Sequence, residues 1–115
     1  MNNNRLKRSI GVNIDASGGA VTDQEIFRVP AGYDAIVTMF FLSNIGGSTT
    51  TVDAKWHDGT VITFLGGKSL NAADILQFGG EIGNFLTMSP DDYFTVSVAS
   101  GGQCAVIISY ELQRL

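Results

Sequence analysis

Tyr33-Asp34-Ala35-Ile36-Val37-Thr38-Met39-Phe40-Phe41-Leu42-Ser43 decides the fold class. It is eleven residues long, rich in β-branched and aromatic side chains, and free of glycine and proline. No helical spacing of apolar positions runs through it, whereas period-two alternation does. Ala35, Val37, Met39 and Phe41 fall on one face; Ile36, Phe40 and Leu42 fall on the other. Both faces are apolar, which predicts a strand covered twice, by the core and by a neighbouring sheet or subunit.

Turn signals bound this strand on both sides. Before it, Val29-Pro30-Ala31-Gly32 combines a fixed φ at Pro30 with a glycine suited to the positive φ of a type II turn. After it, Asn44-Ile45-Gly46-Gly47-Ser48 breaks the run. Thr49 to Trp56 then alternates, with Val52, Ala54 and Trp56 on one face and Asp53, Lys55 and His57 on the other. Asp58-Gly59 is a hairpin signal leading to a return strand, Thr60 to Leu65, closed by Gly66-Gly67. Leu70 to Ile75 reads as a loop or a short helical turn before a strand at Ile75 to Phe78. Phe85 to Met88, Tyr93 to Ala99 and Cys104 to Leu112 are further strands. Toward the N-terminus, Lys7 to Ile14 and the more polar Thr22 to Val29 complete the set, the latter as an edge strand.

Eight to ten short strands with turn signals about every ten residues predict an all-β, single-domain antiparallel β-sandwich, with a jelly roll as one form of it and a closed barrel as the alternative. One domain is expected from 115 residues. Val29-Pro30-Ala31-Gly32-Tyr33 and Ser89-Pro90-Asp91-Asp92-Tyr93 echo one another, each feeding a long strand.

The chain carries a formal charge of −4, unevenly placed. Arg5, Lys7 and Arg8 are three of its seven basic residues, so a basic N-terminal arm over residues 1–8 is expected to lead an acidic domain over 9–115. An acidic body disfavours nucleic acid, whose phosphates need clustered Lys and Arg. Charged residues make up 16% of the chain, below the usual quarter or so, which leaves neutral surface for subunit contacts. No apolar run approaches the length of a membrane span, and no apolar segment follows the basic start as a secretory signal requires. No membrane partner is expected.

The chain offers few residues for catalytic or metal chemistry. One histidine (His57) and one cysteine (Cys104) cannot supply the common zinc ligand sets. Cys104 lies in the apolar run Cys104-Ala105-Val106-Ile107-Ile108 and reads as a small core residue. Asp58 is explained by the Asp-Gly turn, and Asp91-Asp92 by the turn after Pro90. Gly67-Lys68-Ser69 resembles the end of a phosphate loop, but Ile62 stands where that pattern needs its first glycine. No catalytic residue, cofactor or metal is expected. Tyr33, Trp56 and Tyr93 form the one plausible aromatic platform for a glycan.

Val29-Pro30-Ala31-Gly32, Ala35-Ile36-Val37-Thr38, the Ser43-Asn44 break and Thr49-Thr50-Thr51-Val52 form one set of recognisable segments; Leu86-Thr87-Met88-Ser89-Pro90-Asp91-Asp92 and Phe94-Thr95-Val96-Ser97-Val98 form another. Over residues 26 to 112 the pattern resembles small β-sandwich structural proteins of tailed-bacteriophage virions. The resemblance implies a non-enzymatic virion part, often trimeric, assembled in the host cytoplasm. The expected role is a capsid decoration or cement protein that binds the major capsid or other virion proteins. Neck or tail placement, or a glycan- or receptor-binding module, are the alternatives. The expected contact residues are Arg5, Lys7 and Arg8 of the arm, with Tyr33, Phe40 and Leu42 of the two-faced strand.

Overall fold

A computed structural model describes residues 5–80 and 83–115. Nine strands lie in the described residues: β1 (Arg5–Asp15), β2 (Val21–Arg28), β3 (Tyr33–Asn44), β4 (Thr50–His57), β5 (Val61–Leu70), β6 (Ile75–Gly79), β7 (Leu86–Met88), β8 (Tyr93–Val98) and β9 (Gln103–Arg114). All pairings are antiparallel. One sheet runs β1-β9-β3-β6, with β7 also on β3; the other runs β2-β8-β4-β5. Counting β6 and β7 as one interrupted strand, successive strands alternate between the sheets except at the β4–β5 hairpin, which stays within the second sheet; this is the strand order of a double-sheet jelly roll. The sandwich expectation therefore holds in its jelly-roll form, and the barrel does not.

The alternation of β4, β8 and β9 places their apolar residues inward as the sequence predicts. Val52 and Ala54 on β4, Phe94, Val96 and Val98 on β8, and Cys104, Val106 and Ile108 on β9 are all buried. At the middle of the interior Phe40 meets Phe64 at 5.3 Å and Phe94 at 5.3 Å, both edge-to-face. Phe78 and Phe85 stack at 5.2 Å beside them. Edge-to-face rings set the positive rim of one against the negative face of the next, adding about 0.5–1.5 kcal/mol per pair beyond area burial.

The phase of β3 differs from a simple alternation. Its register against β9 slips between Val37 and Met39, a β-bulge at Thr38. The extra residue turns the strand over, so Ala35 and Val37 before it and Phe40 and Leu42 after it all face the core at 0% exposure. Ile36, Met39 and Phe41 are left half-buried on the outer face. The strand is two-faced as expected, with the membership of its faces exchanged at Thr38.

Two other boundaries differ. Gly66-Gly67 does not close β5; the strand continues to Leu70 through irregular pairing with β4, where Gly67 adopts a φ of +61° and its N–H donates to Asp53. Residues 71–74 take the loop form of the two alternatives expected for Leu70 to Ile75, a turn with Asp74 N–H donating to Asn71 O at 3.0 Å. The basic segment also begins differently. Arg5 to Arg8 belong to β1, where Arg5 pairs with Gln113 and Arg8 with Tyr110; residues 1–4 of the expected arm lie outside the described residues.

Candidate interaction surfaces

The outer face of the β2-β8-β4-β5 sheet carries an ordered polar row. Register places Arg28 beside Tyr93 and Tyr93 beside His57. Side chains on one face of neighbouring strands stand side by side, so three planar groups line up. The Arg28 guanidinium lies over the Tyr93 ring at 4.1 Å, and His57 stacks on its other side at 4.2 Å and 5°. His57 Nε2 shares a 2.8 Å hydrogen bond with Thr95 Oγ1. Arg28 also donates to Glu25 at 2.6 Å, and that bond holds the Glu25 carboxyl below its ordinary value and the guanidinium above its own. In the next rows Lys55 Nζ donates to Asp23 at 3.0 Å, which lowers the Asp23 carboxyl.

This row does not assemble catalytic chemistry. His57 meets a threonine hydroxyl and an aromatic ring, while Asp58 accepts from Thr60 N–H at 3.1 Å and Thr60 Oγ1 at 2.9 Å in the hairpin turn. Among the described residues no three His, Cys, Asp or Glu side chains gather as a metal-ligand group. Cys104 is fully buried, and burial raises its thiol pKa, the opposite of a reactive thiolate.

The aromatic platform is dispersed. Tyr93 lies on one outer face, between Arg28 and His57. Trp56 alternates to the inner side of β4 and its Nε1–H donates to Asp92 Oδ2 at 3.3 Å. Tyr33 belongs to the opposite sheet, with the Arg114 guanidinium 5.9 Å from its ring.

The residues expected at contacts separate into two groups. Lys7 and Arg8 are exposed, and they line a shallow groove of about 380 Å³ with Thr38, Ser109, Tyr110 and Glu111. Arg5 and Tyr33 occupy the same end of that sheet, opposite Gln113 and Arg114 of β9. Phe40 and Leu42 do not join them. Both are 0% exposed in the core and present no surface to a partner, because the bulge at Thr38 turns them inward.

An apolar patch at the other end of the same outer face was not singled out from sequence. Phe41 pairs with Ile107 of β9, and Ile75 lies one row on beside Ser43. Ile107, Ile75 and nearby Ile45 are 39%, 58% and 54% exposed. Phe41, Ile45, Ala72, Ala73 and Ile75 line a shallow hollow of about 460 Å³ there. The usable signal was Ile107, out of phase with the inward Val106 and Ile108.

No protein-family model matches the sequence, and no curated protein does. Among solved structures the chain is similar to one from the cyanophage Pam1 capsid asymmetric unit, at 12% identity over 97% of this chain and 86% of that one, with a TM-score of 0.47. It is similar to PirA at 9% identity, over 96% of this chain and 95% of that one, with a TM-score of 0.37. A chain of infectious bursal disease virus Gt strain shares 11% identity over 96% of this chain and 36% of its own, with a TM-score of 0.38.

Proposed function

We propose that this protein is a non-catalytic structural part of a virus particle, a head decoration subunit that clamps neighbouring major-capsid subunits. The observation that carries this reading is the filled interior. Jelly rolls recur in capsid, lectin and cupin domains, so the fold alone does not choose among them. A cupin-type site needs polar ligands pointing between the sheets, where this chain places Phe40, Phe64 and Phe94 in mutual contact. A lectin-type platform needs clustered exposed aromatics, and Tyr33, Trp56 and Tyr93 lie apart. Binding is left to the outer faces and edges, where Phe41, Ile75 and Ile107 offer apolar area and Lys7 and Arg8 offer charge. Burying such area is the main source of protein–protein affinity.

The test is uptake by shells. Particles of the virus encoding this chain should contain the protein on their heads, and shells stripped of it should rebind it. The double variant Ile75→Glu/Ile107→Glu should fold and rebind at least tenfold more weakly. Recovery of the protein with necks or tails only would assign the alternative placement. Absence from particles, with measurable glycan affinity, would refute a structural role.

A further inference from the structure

We infer that β1 is a self-pairing edge, through which two copies of this chain join their β1-β9-β3-β6 sheets antiparallel about Ile10. Among the described residues five strands lie at the edges of the two sheets, and four are guarded. β2 carries two register irregularities against β8, with Asp23 at a φ of +50°, and β5 carries two against β4. β6 and β7 are five and three residues long. Bulges and shortness are two of the devices that stop edges from pairing with other chains, and like charge is a third, which acts on β1 only against a basic partner. β1 has neither of the first two: its eleven residues pair with β9 in unbroken register from Arg5 to Asp15.

Two backbone hydrogen bonds fix which groups are free on that edge. Ala16 N–H donates to Gly102 O at 2.8 Å, and Ile45 N–H donates to Gln103 O at 2.9 Å. Gln103 therefore turns to β3 and its neighbour Cys104 turns to β1. By antiparallel alternation the even residues of β1 bond β9, while Lys7, Ser9, Gly11 and Asn13 direct their amides and carbonyls away from the sheet. Among the described residues no strand pairs with that side.

The sequence of β1 suits a second copy of itself. Antiparallel pairing about Ile10 sets Arg5 opposite Asp15, Lys7 opposite Asn13 and Ser9 opposite Gly11 of the other copy. Outward backbone meets outward backbone in each pair, and the basic start of one strand meets the acidic end of the other. Parallel pairing would instead set Lys7 and Arg8 against their own copies, a like-charge clash. On the inner face Leu6 is 41% exposed, and Ile10 and Val12 are only partly buried. The same register covers Leu6 with Ile14 of the second copy and Ile10 with Ile10. The contact is isologous and closes at two copies, unlike the three-fold ring that the phage resemblance implies.

Sedimentation of the full chain tests this. Wild type should run as a dimer at micromolar concentration. Asn13→Pro removes one outward N–H and no bond to β9, so it should shift the protein to monomer while its thermal unfolding stays near wild type. Ile10→Cys should give a disulfide-linked dimer on a non-reducing gel, since directly opposed residues at a non-hydrogen-bonded site lie within disulfide reach and Cys104 is buried. A monomeric or trimeric wild type, a dimer that survives Asn13→Pro, or an Ile10→Cys chain that stays unlinked would each overturn the assignment. None of these readouts depends on whether the protein binds shells.

Discussion

Val29 and Asp91 are bonded across the two proline turns: Asp91 N–H donates to Val29 O at 3.0 Å, and the neighbouring Val29 N–H donates to Asp92 O at 2.9 Å. The echo visible between the two segments is thus a physical contact. Gly32 and Asp91 both take left-handed φ values, +84° and +68°, at matching turn positions. Arg28 Nη1 donates to Asp91 O at 3.2 Å and ties the same corner to the outer polar row.

Asp92 is the keystone of that corner, accepting from Ser89 N–H at 3.0 Å and from Trp56 Nε1–H at 3.3 Å through one carboxylate oxygen. Asp92→Ala should destabilise the fold by about 1–3 kcal/mol, the cost of leaving such donors unpaired. Trp56 is the sole tryptophan, so denaturant melts followed by its fluorescence report the change directly. An unchanged midpoint would contradict the assignment.

Asn44, only 2% exposed, binds together two loops. Its Nδ2 donates to Ser48 O at 2.8 Å, Leu70 O at 3.1 Å and Asn71 O at 3.2 Å, and its Oδ1 accepts from Gly46 N–H at 2.9 Å. Asn44→Ala should cost about 3 kcal/mol, because several backbone groups lose their partner at once. Thermal unfolding should show a clear drop in Tm. Hydrogen exchange should rise first at Gly46.

Gly102 and Thr50 are pressed together. A Cβ at Gly102 would clash with Thr50 Oγ1 and lie 2.8 Å from Val98 Cγ1. Gly102→Ala should therefore destabilise by about 1–3 kcal/mol through overpacking. Thr50 Oγ1 is itself buried without a hydrogen-bond partner among the described residues. Thr50→Val keeps the shape and removes the unmet hydroxyl, so it should raise stability by about 1 kcal/mol. Equal Tm values for the two variants would refute both assignments.

Acid should loosen the outer face of the second sheet. The Lys55 and Arg28 hydrogen bonds lower the Asp23 and Glu25 carboxyls from ordinary values of 3.8 and 4.5. A lowered folded value means that the folded state binds protons less readily than the unfolded one. Stability from these pairs is present above about pH 4.5 and is lost as pH falls through the lowered values. Both carboxylates are largely exposed, so the Asp23–Lys55 pair contributes at most about 1 kcal/mol and less in salt. Lys55→Met should flatten the decline of Tm between pH 5 and pH 3; an unaltered slope would show that the pair carries no weight.

Period-two patterning made β4, β8 and β9 legible, because each keeps one phase from end to end and the inward residues are the apolar ones. It failed on β3, where a single bulge residue, Thr38, exchanges the faces and nothing in Val37-Thr38-Met39 marks it locally. Phe40 and Leu42 were misplaced for that reason alone. It failed again at Gly66-Gly67, where a glycine pair that usually closes a strand instead bends one. The Arg28–Tyr93–His57 row was illegible because it depends on register between strands distant in sequence, and turn residues fix register only within a hairpin. The edge position of β2 was legible from its polarity, and that of β1 was not.

β9 is the last of the nine described strands and yet sits between β1 and β3, joining Ser9 to Ser109 by a hydroxyl–hydroxyl bond at 3.0 Å across 100 residues of sequence. During synthesis β1 is made before β9, and among the described residues β9 is the one strand it pairs with, so β1 waits for that neighbour until the seven strands between them have been made. High contact order of this kind slows folding, because the loop must close before the pairing rewards it. Until β9 is inserted the flank of β3 is bare as well, so the chain without that strand carries two unpaired edges open to pairing with other chains.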